Sequence, residues 1–568
     1  MSGKIKITIV TDIGKLNNGV DDSEEKFTNM THDSSATIMS TLLENNMISG
    51  SFCGGRGDCG RCRIQFLEGV IIPTQLERSV LDAEELRRGY RLACLARPRN
   101  NCVIKLAFSD EPKTAVVTEV MDVTESFDYI SQQNWHTGNR TSDVTKTADV
   151  REPAYISGQP VILKRPAAKK QADIKNTDVM IAADLGTTTI AMQMIELDTG
   201  QILDTYCELN PQRRFGADVL SRIQASCEGN RAVLQRLVVE VLERGVTRFK
   251  DRSANIRCMC IAGNTTMEHL LMGYDVSSLG RSPFTPVEIG LQEYGHPAWD
   301  FSACLVPGIS AFVGGDIVAG LYACGMLAGK PYPALFIDLG TNGEMAIADG
   351  ERMIVTATAA GPAFEGGAGA DIIGSDMVAC TAALLNQGIL DETGLLKEPF
   401  FTGGVSVRID DAGRYRFAPG GSDRSLFLTQ KDIRSLQMAK AAVRAGVEIL
   451  LKRLEVERGD ESQPGDTQFD VRQDLQVYLA GGFGYYLDVE AAFRIGLLPE
   501  HMRGHVQAVG NTALSGAYRI GHDLYLGKID RQILEQSLSF IESINLAGQE
   551  EFERLYIQYM NFAPSHGV

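Results

Sequence analysis

Four cysteines near the N-terminus have the residue type and the spacing of iron ligands. Cys53, Cys59 and Cys62 lie within ten residues of a glycine-rich stretch, and Cys94 follows 32 residues later. Thiolates bind the iron of iron–sulfur clusters, and a loop with three ligands can wrap a cluster that a second segment closes. Glycines in such a loop let the backbone approach the inorganic sulfides and donate N–H groups to them. The quartet therefore predicts a two-iron, two-sulfur cluster, and with it electron transfer.

The spacing of the quartet narrows the class of cluster. C-x5-C-x2-C-x31-C is one residue longer in its first gap than the plant-type ferredoxin pattern, and it resembles the adrenodoxin-type variant instead. Zinc is the main alternative for any four cysteines, but structural zinc sites usually pair two C-x2-C knuckles, whereas Cys94 stands alone. The other eight cysteines are scattered, and we expect them to be buried, reduced thiols.

Composition and charge exclude several classes of protein. Hydrophobic residues make up 44% and charged residues 22% of the 568 residues, as in a globular protein, and the length suits about three to four domains. The N-terminal apolar run is too short for a secretory signal, and no stretch is long and apolar enough to span a membrane. We therefore expect a cytoplasmic protein without a membrane partner. A net charge of −17 repels phosphate backbones and argues against nucleic acid as a partner.

The pattern of apolar residues divides the chain into three parts. Residues 1–108 are predicted to form a ferredoxin-like domain. Residues 109–176 are rich in Thr, Ser, Asp, Lys and Gln, which predicts a linker or a small middle segment. Residues 177–568 alternate apolar strands with amphipathic helices, so the fold class is multidomain α/β.

Local patterns predict the elements of the first part. Residues 4–10 alternate as a strand does, residues 37–46 follow a helical period, and residues 103–108 predict a closing strand. The stretch Gly14–Ser34 is rich in Asn, Asp, Ser and Glu, and we expect an exposed insertion there. This arrangement fits a small ferredoxin β-grasp.

Two turns in the third part repeat each other and carry residue types that bind phosphate. Each follows an apolar strand and begins with an Asp, Asp184 in the first turn and Asp338 in the second, 154 residues apart. Small residues after each Asp can turn N–H groups and side-chain donors toward phosphate. The Asp would hold Mg²⁺ of a nucleotide complex, usually through water, because magnesium keeps much of its hydration shell. The predicted phosphate-binding residues are Gly186, Thr187, Thr188, Thr189, Gly340, Thr341, Asn342 and Gly343.

A third glycine turn supports a nucleotide site. The strand at residues 477–480 breaks into Gly481, Gly482 and Gly484, where adenine or ribose could lie against bare backbone. Together the three turns resemble the phosphate 1, phosphate 2 and adenosine motifs of the acetate and sugar kinase, Hsp70 and actin (ASKHA) superfamily, whose two similar domains close on ATP. Gly314-Gly315-Asp316 resembles the connecting segment between those domains; the alternative is a helix N-cap formed by Asp316.

A ferredoxin module fused to a kinase-like ATPase is a rare pairing, and here the resemblance becomes specific. The chain resembles the reductive activators of corrinoid-dependent enzymes, often called RACE proteins, over almost its whole length. Besides the cysteine loop, the segments that carry this resemblance are residues 210–219, 263–267, 359–366, 437–442 and 545–548.

The resemblance implies an activity and its cofactors. In that family a cobalamin protein that has slipped to inactive Co(II) is returned to Co(I) by one electron, with ATP hydrolysis assisting. The implied cofactors are a 2Fe-2S cluster, ATP and Mg²⁺. Asp184, Asp338 and Glu344 are the expected catalytic residues of the ATPase, and Asp316 is an expected nucleotide contact.

The resemblance also implies partners. They are a corrinoid protein of a methyltransferase system, an upstream ferredoxin or flavoprotein as electron donor, and a second copy of the chain in a homodimer. The chain has no D-x-H-x-x-G corrinoid signature, so the cobalamin is expected on the partner. The stretch between cluster and ATPase is short, and we expect the additional middle domain of longer relatives to be missing or reduced.

Other functions fit some of the same residues. One is a small-molecule kinase that carries a redox sensor. Another is an electron-donating activase for a different radical or low-potential enzyme, such as a 2-hydroxyacyl-CoA dehydratase. Those activases hold a four-iron cluster between subunits, whereas the present cysteines suit a cluster within one chain. The non-enzyme alternative is a ferredoxin carrier with an ATP-sensing domain.

Overall fold

The structure, a computed structural model, contains an N-terminal α/β domain and a larger α/β part built of two lobes. The predicted linker lies outside the described residues, so the domain boundaries drawn from the sequence stay predictions. The described residues are 4–12, 25–45, 47, 57, 62–69, 71–81, 83–106, 177–252, 255–328, 333–340, 342–361, 364, 374–398, 400, 405–409, 415–418, 426–458, 472 and 474–562.

The N-terminal domain is a five-stranded sheet with helices packed on it. Its elements are β1 (Lys4–Asp12), β2 (Glu25–Asp33), α1 (Ile38–Glu44), β3 (Arg63–Glu68), α2 (Gln75–Val80), α3 (Ala83–Arg87), β4 (Tyr90–Leu92) and β5 (Cys102–Leu106). The strand order is β2-β1-β5-β3-β4, with β1 parallel to β5 and all other neighbours antiparallel. Ile9 and Ile104 of the central strands pack with Leu42 of α1 in one buried cluster. The predicted β-grasp is confirmed.

Strand β2 corrects one expectation from the sequence. Part of the stretch Gly14–Ser34, expected to be an exposed insertion, pairs with β1 over its whole length, from Asp12 opposite Glu25 to Lys4 opposite Asp33. The reason is that β2 is an edge strand with one covered face. His32 is buried and Met30 partly buried, while the alternate residues are exposed, so the polar composition hid the strand.

The first lobe is built on a six-stranded sheet. Its strands and helices are β6 (Asp178–Leu185), β7 (Thr189–Glu196), β8 (Ile202–Leu209), α4 (Val219–Ala225), α5 (Arg231–Lys250), β9 (Asn255–Gly263), α6 (Thr265–Met272), β10 (Gln292–Tyr294) and β11 (Ser302–Leu305), followed by α7 (Gly315–Ala323). The strand order is β10-β11-β9-β6-β7-β8. Leu234, Val238, Val241 and Leu242 of α5 recur at helical spacing and bury one face of that helix against the sheet.

The second lobe is built on another six-stranded sheet and a small three-stranded one. Its elements are β12 (Ala334–Leu339), β13 (Gly343–Ala348), β14 (Met353–Thr358), α8 (Gly374–Asn386), β15 (Val405–Ile409), β16 (Tyr415–Ala418), β17 (Leu426–Leu428), α9 (Gln430–Arg458), β18 (Gln476–Ala480), α10 (Gly481–Tyr486), α11 (Val489–Ile495) and β19 (Val506–Gly510). The chain then continues through α12 (Thr512–Tyr525), α13 (Arg531–Ser539), β20 (Ile541–Ser543) and α14 (Glu550–Gln558). The main sheet has the order β19-β18-β12-β13-β14-β20.

The two large sheets repeat one topology. In each, three consecutive strands form an antiparallel meander, β6-β7-β8 and β12-β13-β14, and a later strand, β9 or β18, adds in parallel to the first. Asp184 lies beside Ala262 of β9, and Asp338 lies beside Ala480 of β18. The internal repeat seen in the sequence is therefore a duplicated fold, and it places the two Asp residues at equivalent strand ends.

Helices α7 and α12 join the lobes. Val318 and Ala319 of α7 pack in the cluster behind the first sheet, whereas Ile317 and Leu321 pack against the second sheet. After β19 the chain returns through α12, which packs behind the first sheet, and β20 then re-enters the second sheet beside β14. The chain thus crosses between the lobes several times. No helix in the part of the chain that the structure describes is long and apolar enough to cross a membrane.

Close contact between α7 and α12 predicts the effect of one substitution. A Cβ on Gly516 would lie 1.9 Å from the carbonyl oxygen of Ala319. Gly516→Ala should lower the free energy of unfolding by about 1–3 kcal/mol, because the backbone clash outweighs the better helix propensity of alanine. The measurement is the unfolding temperature of the ATPase part by calorimetry. Gly295→Ala is the matched control, since nothing lies within 4 Å of a Cβ there; equal unfolding temperatures for both variants would contradict the prediction.

Candidate redox centre and nucleotide cleft

The pairing of β3 with β4 brings two of the predicted iron ligands together. Cys62 immediately precedes β3 and Cys94 follows β4, and the N–H of Ala93 donates to the carbonyl of Cys62 at 2.8 Å. The two Sγ atoms are 3.3 Å apart, and both cysteines are buried. The N–H of Met39 at the start of α1 donates to the carbonyl of Ala93 at 2.9 Å, which fixes the segment that carries Cys94.

The described part of this centre fits a two-iron cluster. Two thiols converge from separate segments, as two ligands of one iron do. Gly57, in the predicted ligand loop, has φ +80°, and a Cβ there would lie 2.6 Å from Cδ1 of Leu95. The loop therefore needs a glycine at this position to approach the segment that follows Cys94. Cys53 and Cys59 lie outside the described residues, so their part in the ligand set stays a prediction.

The remaining cysteines differ in exposure, which corrects another expectation. Cys102, Cys260, Cys324 and Cys380 are buried as expected, and burial raises the pKa of Cys102 to about 11, so its thiol stays protonated. Cys207 and Cys227 are exposed, and Cys258 and Cys304 are half-buried. The two exposed cysteines each precede a Glu, in the polar segments Thr205–Asn210 and Ser226–Asn230, and this polar context was the signal that the sequence analysis overlooked.

The nucleotide motifs predicted from the sequence converge on one cleft between the lobes. Asp184 lies near the end of β6 and Asp338 near the end of β12. Asp316 is the second residue of α7, and Glu344 on β13 is the cross-strand partner of Asp338. The negative charges of Asp184 and Asp338 both raise the pKa of Asp316, and Asp316 and Asp338 raise that of Glu344. The four carboxylates are thus close electrostatic neighbours.

A fifth carboxylate, Glu268 of α6, belongs to the same cluster. It accepts a hydrogen bond from the N–H of Gly263 at 3.1 Å, and the charge of Asp316 raises its pKa further. Burial is the largest cause of each shift: it raises the pKa of Asp184 to about 6 and those of Asp316 and Asp338 to about 7. Among the described residues no cationic side chain offsets these shifts.

This carboxylate cluster is suited to a hydrated cation. Within the described residues no group of three or more Asp, Glu, His or Cys side chains is placed to bind one metal ion directly. Magnesium is commonly held by one or two carboxylates, with water and substrate phosphates completing its coordination. The donor set therefore fits the water-mediated magnesium that the sequence predicts.

Hydrogen bonds from polar side chains of neighbouring segments fix the first phosphate turn. Gly186, Thr187 and Thr188 connect β6 to β7, which begins at Thr189. The carbonyl of Gly186 accepts a hydrogen bond from Nδ2 of Asn210 at 2.9 Å, and Oγ1 of Thr187 accepts one from Nδ2 of Asn264 at 3.0 Å.

Arg222 completes that support. Its guanidinium is fully buried and donates to the carbonyls of Thr187 and Gly216 and to Oε1 of Gln212. The segments at residues 210–219 and 263–267, which carried the family resemblance, thus position the turn. Sequence reasoning identified these segments but assigned them no role.

The second phosphate turn and the third glycine turn meet at Asp338. Gly340 and Asn342 connect β12 to β13, which starts at Gly343, and the N–H of Gly340 donates to the carbonyl of Asn342 at 2.9 Å. Gly481 has φ +81°, and a Cβ there would lie 2.4 Å from Oδ1 of Asp338, so a side chain would collide with the carboxylate. Gly482 and Gly484 follow in α10. Thr341 lies outside the described residues, as does most of the glycine cluster at 361–369.

The N-cap alternative for Asp316 was wrong. The N-cap of α7 is Gly314, and a Cβ there would lie 2.5 Å from the N atom of Thr265. Close packing against the start of α6 therefore requires a glycine at the N-cap position of α7. Asp316 lies two residues later and belongs to the carboxylate cluster instead. His269 of α6 is buried, and its ring nitrogens are hydrogen-bonded to the carbonyl of Thr265 and the N–H of Val287, so it is a satisfied core residue.

Asn511 was missed by sequence reasoning. It follows β19 and caps α12 by accepting a hydrogen bond from the N–H of Leu514 at 2.8 Å. Its Nδ2 donates to Oδ2 of Asp184 at 2.8 Å, 327 residues away in sequence. One side chain therefore joins the first Asp to the helix that enters from the second lobe. A lone Asn before a helix predicts a cap and nothing about its distant partner.

The segment at 437–442 serves the C-terminal end of the chain. Nε2 of Gln437 donates to the carbonyls of Thr393 and Met560, and Nζ of Lys440 donates to the carbonyl of Asn561. Burial lowers the pKa of Lys440 to about 7, and the ammonium lies over the ring of Phe562. These contacts fix residues after α14 against α9, so this motif is structural in the described chain.

Replacing Asn511 should change the pH dependence of nucleotide binding. Burial raises the pKa of Asp184, and the hydrogen bond that the Asn511 amide donates to its carboxylate lowers it. Asn511→Ser keeps a good helix cap but removes this amide donor, so the pKa of Asp184 should rise. Affinity for a magnesium–ATP analogue, titrated from pH 5 to 8, should then reach its plateau at a correspondingly higher pH.

A cap variant elsewhere provides the control for Asn511→Ser. Asp530 caps α13 and accepts from the N–H of Ile533 at 2.8 Å. Asp530→Ser should leave the pH profile of nucleotide binding unchanged. If the two variants shift the profile equally, the contact between Asn511 and Asp184 is not its cause.

The carboxylate cluster should make the ligand-free protein less stable as pH rises. The pKa values of Asp184, Asp316 and Asp338 are raised to about 6, 7 and 7 in the fold, above their ordinary value of 3.8. The folded state therefore holds extra protons between these values, and its free energy of unfolding falls as pH rises from 4 to 7. Calorimetry of wild type and Asp338→Asn should show a shallower decline for the variant; parallel curves would contradict the prediction.

Comparisons with known proteins agree with the two halves of this description. A model described as "2Fe-2S iron-sulfur cluster binding domain" matches residues 20–99. One described as "RACo middle region" matches residues 179–328, and "C-terminal domain of RACo the ASKHA domain" matches 332–371 and 369–567. Contrary to the expectation from chain length, the middle region of the family is present, and it coincides with the first lobe and α7.

Individual relatives match over most of the chain. "Corrinoid activation enzyme RamQ" of Eubacterium limosum is 25% identical over 90% of this chain and 93% of its own. "[Co(II) methylated amine-specific corrinoid protein] reductase" of Methanosarcina barkeri is 23% identical over 67% of this chain and 76% of its own. A solved structure, "Reductive activator for corrinoid,iron-sulfur protein", covers 98% of both chains with a TM-score of 0.55 at 22% identity, which shows the shared fold.

The order of a two-iron domain, a RACo middle region and an ASKHA domain, together with full-length relatives of one kind, leads to one family. The chain belongs to the reductive activators of corrinoid-dependent enzymes.

Proposed function

We propose that this protein reduces the Co(II) form of a corrinoid protein to Co(I) by one electron, with hydrolysis of ATP. One combination carries the proposal: buried thiols converge in a ferredoxin domain, and a duplicated ATPase fold in the same chain gathers five neighbouring carboxylates, two of them buried (Glu268 and Glu344) and three half-buried. The names of the RamQ protein and of the Methanosarcina barkeri reductase describe this class of activity.

The electron-transfer part would use Cys53, Cys59, Cys62 and Cys94 as iron ligands. When bound, a two-iron cluster supplies a carrier for one electron at a time. The chain's own contribution is to pair β3 with β4 so that Cys62 and Cys94 meet, and to fix Cys94 through Met39. We expect a ferredoxin or flavoprotein to deliver the electron.

The energy-coupling part would bind magnesium–ATP between the lobes. Asp184 and Asp338 would orient the hydrated Mg²⁺, and Glu344, beside Asp338 on the neighbouring strand, would act on the attacking water. Asp316 would complete the acidic wall. The phosphates and nucleoside would lie along Gly186, Thr187, Thr188, Thr189, Gly340, Thr341, Asn342, Gly343, Gly481, Gly482 and Gly484.

ATP is needed for a thermodynamic reason. For a one-electron couple, each ~59 mV of unfavourable difference in potential reduces the equilibrium constant by a factor of about ten. The reduction potential of the Co(II)/Co(I) couple in corrinoids lies below that of an ordinary ferredoxin. An electron from the cluster therefore produces little Co(I) unless its transfer is coupled to ATP. Nucleotide-driven closure of the lobes would change the affinity for the corrinoid protein and its distance from the cluster domain. A homodimer, implied by the family, stays a prediction.

Replacing one cleft carboxylate should separate the two activities. Asp338→Ala should abolish the stimulation of cobalt reduction by ATP, because the variant loses a carboxylate that orients Mg²⁺, yet leave the visible spectrum of the cluster unchanged. The measurement is Co(I) absorbance of a corrinoid protein mixed with reductant, with and without ATP, together with phosphate release.

A surface aspartate provides the control for Asp338→Ala. Asp300 is exposed and forms an ion pair with Lys250 at 2.8 Å. Asp300→Ala should behave as wild type in every arm. Full retention of ATP stimulation by Asp338→Ala would defeat the assignment of the cleft.

A further inference from the structure

A groove of about 800 Å³ lies outside the nucleotide cleft, where parts of both lobes meet. One wall is formed by β10 and the loop before it, including Glu288 and Gln292. The other is formed by α13 and β20, including Leu538 and Ile541. None of the cleft carboxylates lines it, so the groove is a separate surface.

The groove is bordered by an edge strand from each of the two large sheets. β10 is the edge strand of the first six-stranded sheet, and β20 is the edge strand of the second. Helix α13 packs behind the first sheet through Leu534, and its Glu535 accepts a hydrogen bond from the N–H of Leu291 at 3.0 Å. Two residues after α13, Ile541 pairs with Met353 of the second sheet. The groove therefore lies directly on a crossover of the chain between the lobes.

The residue that connects α13 to β20, where the chain crosses between the lobes, is large, apolar and exposed to solvent. Phe540 connects α13 to β20 and is 78% exposed. Val287, next to the groove residue Glu288, is 56% exposed. Exposed apolar side chains grouped at a concave surface are typical of protein-binding sites.

The charge of the groove is acidic. Glu288, Glu293 and Glu535 line it, and the lining cation Arg531 already pairs with Glu535 at 3.4 Å. Glu293 is exposed on β10, the edge strand. An edge strand with carboxylates beside it is complementary to an extended segment that carries Lys or Arg, since such a segment can add main-chain hydrogen bonds to the edge.

We propose that this groove binds an extended, basic segment of the corrinoid protein, one that also carries an apolar side chain placed against Phe540. The proposal rests on the proposed function, because the occupant is the protein that the chain reduces. A segment bound here contacts both lobes and the crossover between them. Binding at the groove and closure of the lobes on nucleotide then influence each other reciprocally.

The test measures binding of the corrinoid protein that the wild-type chain reduces, in its Co(II) form, by biolayer interferometry with and without magnesium and a non-hydrolysable ATP analogue. Glu293→Lys and Phe540→Ser should each weaken binding about tenfold, the loss expected from a reversed charge or a removed aromatic anchor. The cluster spectrum and the affinity for nucleotide should be unchanged. Wild-type affinity should differ between the two nucleotide conditions.

Matched controls lie on α14, outside the groove. Glu553 is exposed, and Ile557 is 72% exposed, so Glu553→Lys and Ile557→Ser make the same chemical changes elsewhere. Both should bind as wild type.

Each other outcome decides against one of the proposals. Binding by the groove variants within about twofold of wild type, or equal weakening by the α14 variants, overturns the groove assignment while the proposed function stands. An affinity that is the same with and without nucleotide overturns the link to lobe closure. If wild-type protein reduces no Co(II) corrinoid protein of its organism, the proposed function fails and the groove assignment falls with it.

Discussion

Five buried or half-buried carboxylates lie close together between the lobes, and no cationic side chain in the described part of the chain offsets them. This concentration of negative charge is the constraint on which the rest of the structure depends. Desolvation and mutual repulsion act in the same direction on Asp316, Asp338 and Glu344 and raise their pKa values. Removing charged groups from water is costly unless they are paired, so the ligand-free cleft carries an electrostatic penalty. In the proposed function a hydrated magnesium nucleotide relieves that penalty, and this relief is the free energy available to draw the lobes together.

This electrostatic penalty can drive closure of the lobes only if the elements around the carboxylates are held rigidly. Arg222, Asn210 and Asn264 hold the first phosphate turn by its carbonyls and hydroxyl, and Gly481 packs directly on the carboxylate of Asp338. The crossing of α7 and α12 at Gly516 leaves no room for a single added carbon. The strain of closure is therefore expected in the crossovers between lobes, where the chain passes from one packed sheet to the other.

Local patterns in the sequence predicted the strands before Asp184 and Asp338 and the glycine turns after them. They also predicted the first strand, the helix and the closing strand of the β-grasp, because each of these is decided by residues close in the chain. Long-range contacts could not be predicted this way. Asn511 donates a hydrogen bond to Asp184, 327 residues away in the chain. Glu268 belongs to the carboxylate cluster although the largely apolar sequence of its helix predicts only a core helix. Strand β2 was hidden for a related reason: an edge strand needs only one apolar face, and its pairing with β1 supplies the rest.

The cluster of carboxylates between the lobes limits where a partner can bind. A protein that entered the nucleotide cleft would compete with ATP and meet the same carboxylates, so nucleotide and partner could not act together. A surface on a crossover avoids that conflict, because it changes shape with the lobes and leaves the cleft free. The groove beside Phe540 has this position, because an edge strand of each large sheet borders it. Coupling of ATP to electron transfer then requires no contact between nucleotide and corrinoid, only two sites that favour the same arrangement of the lobes.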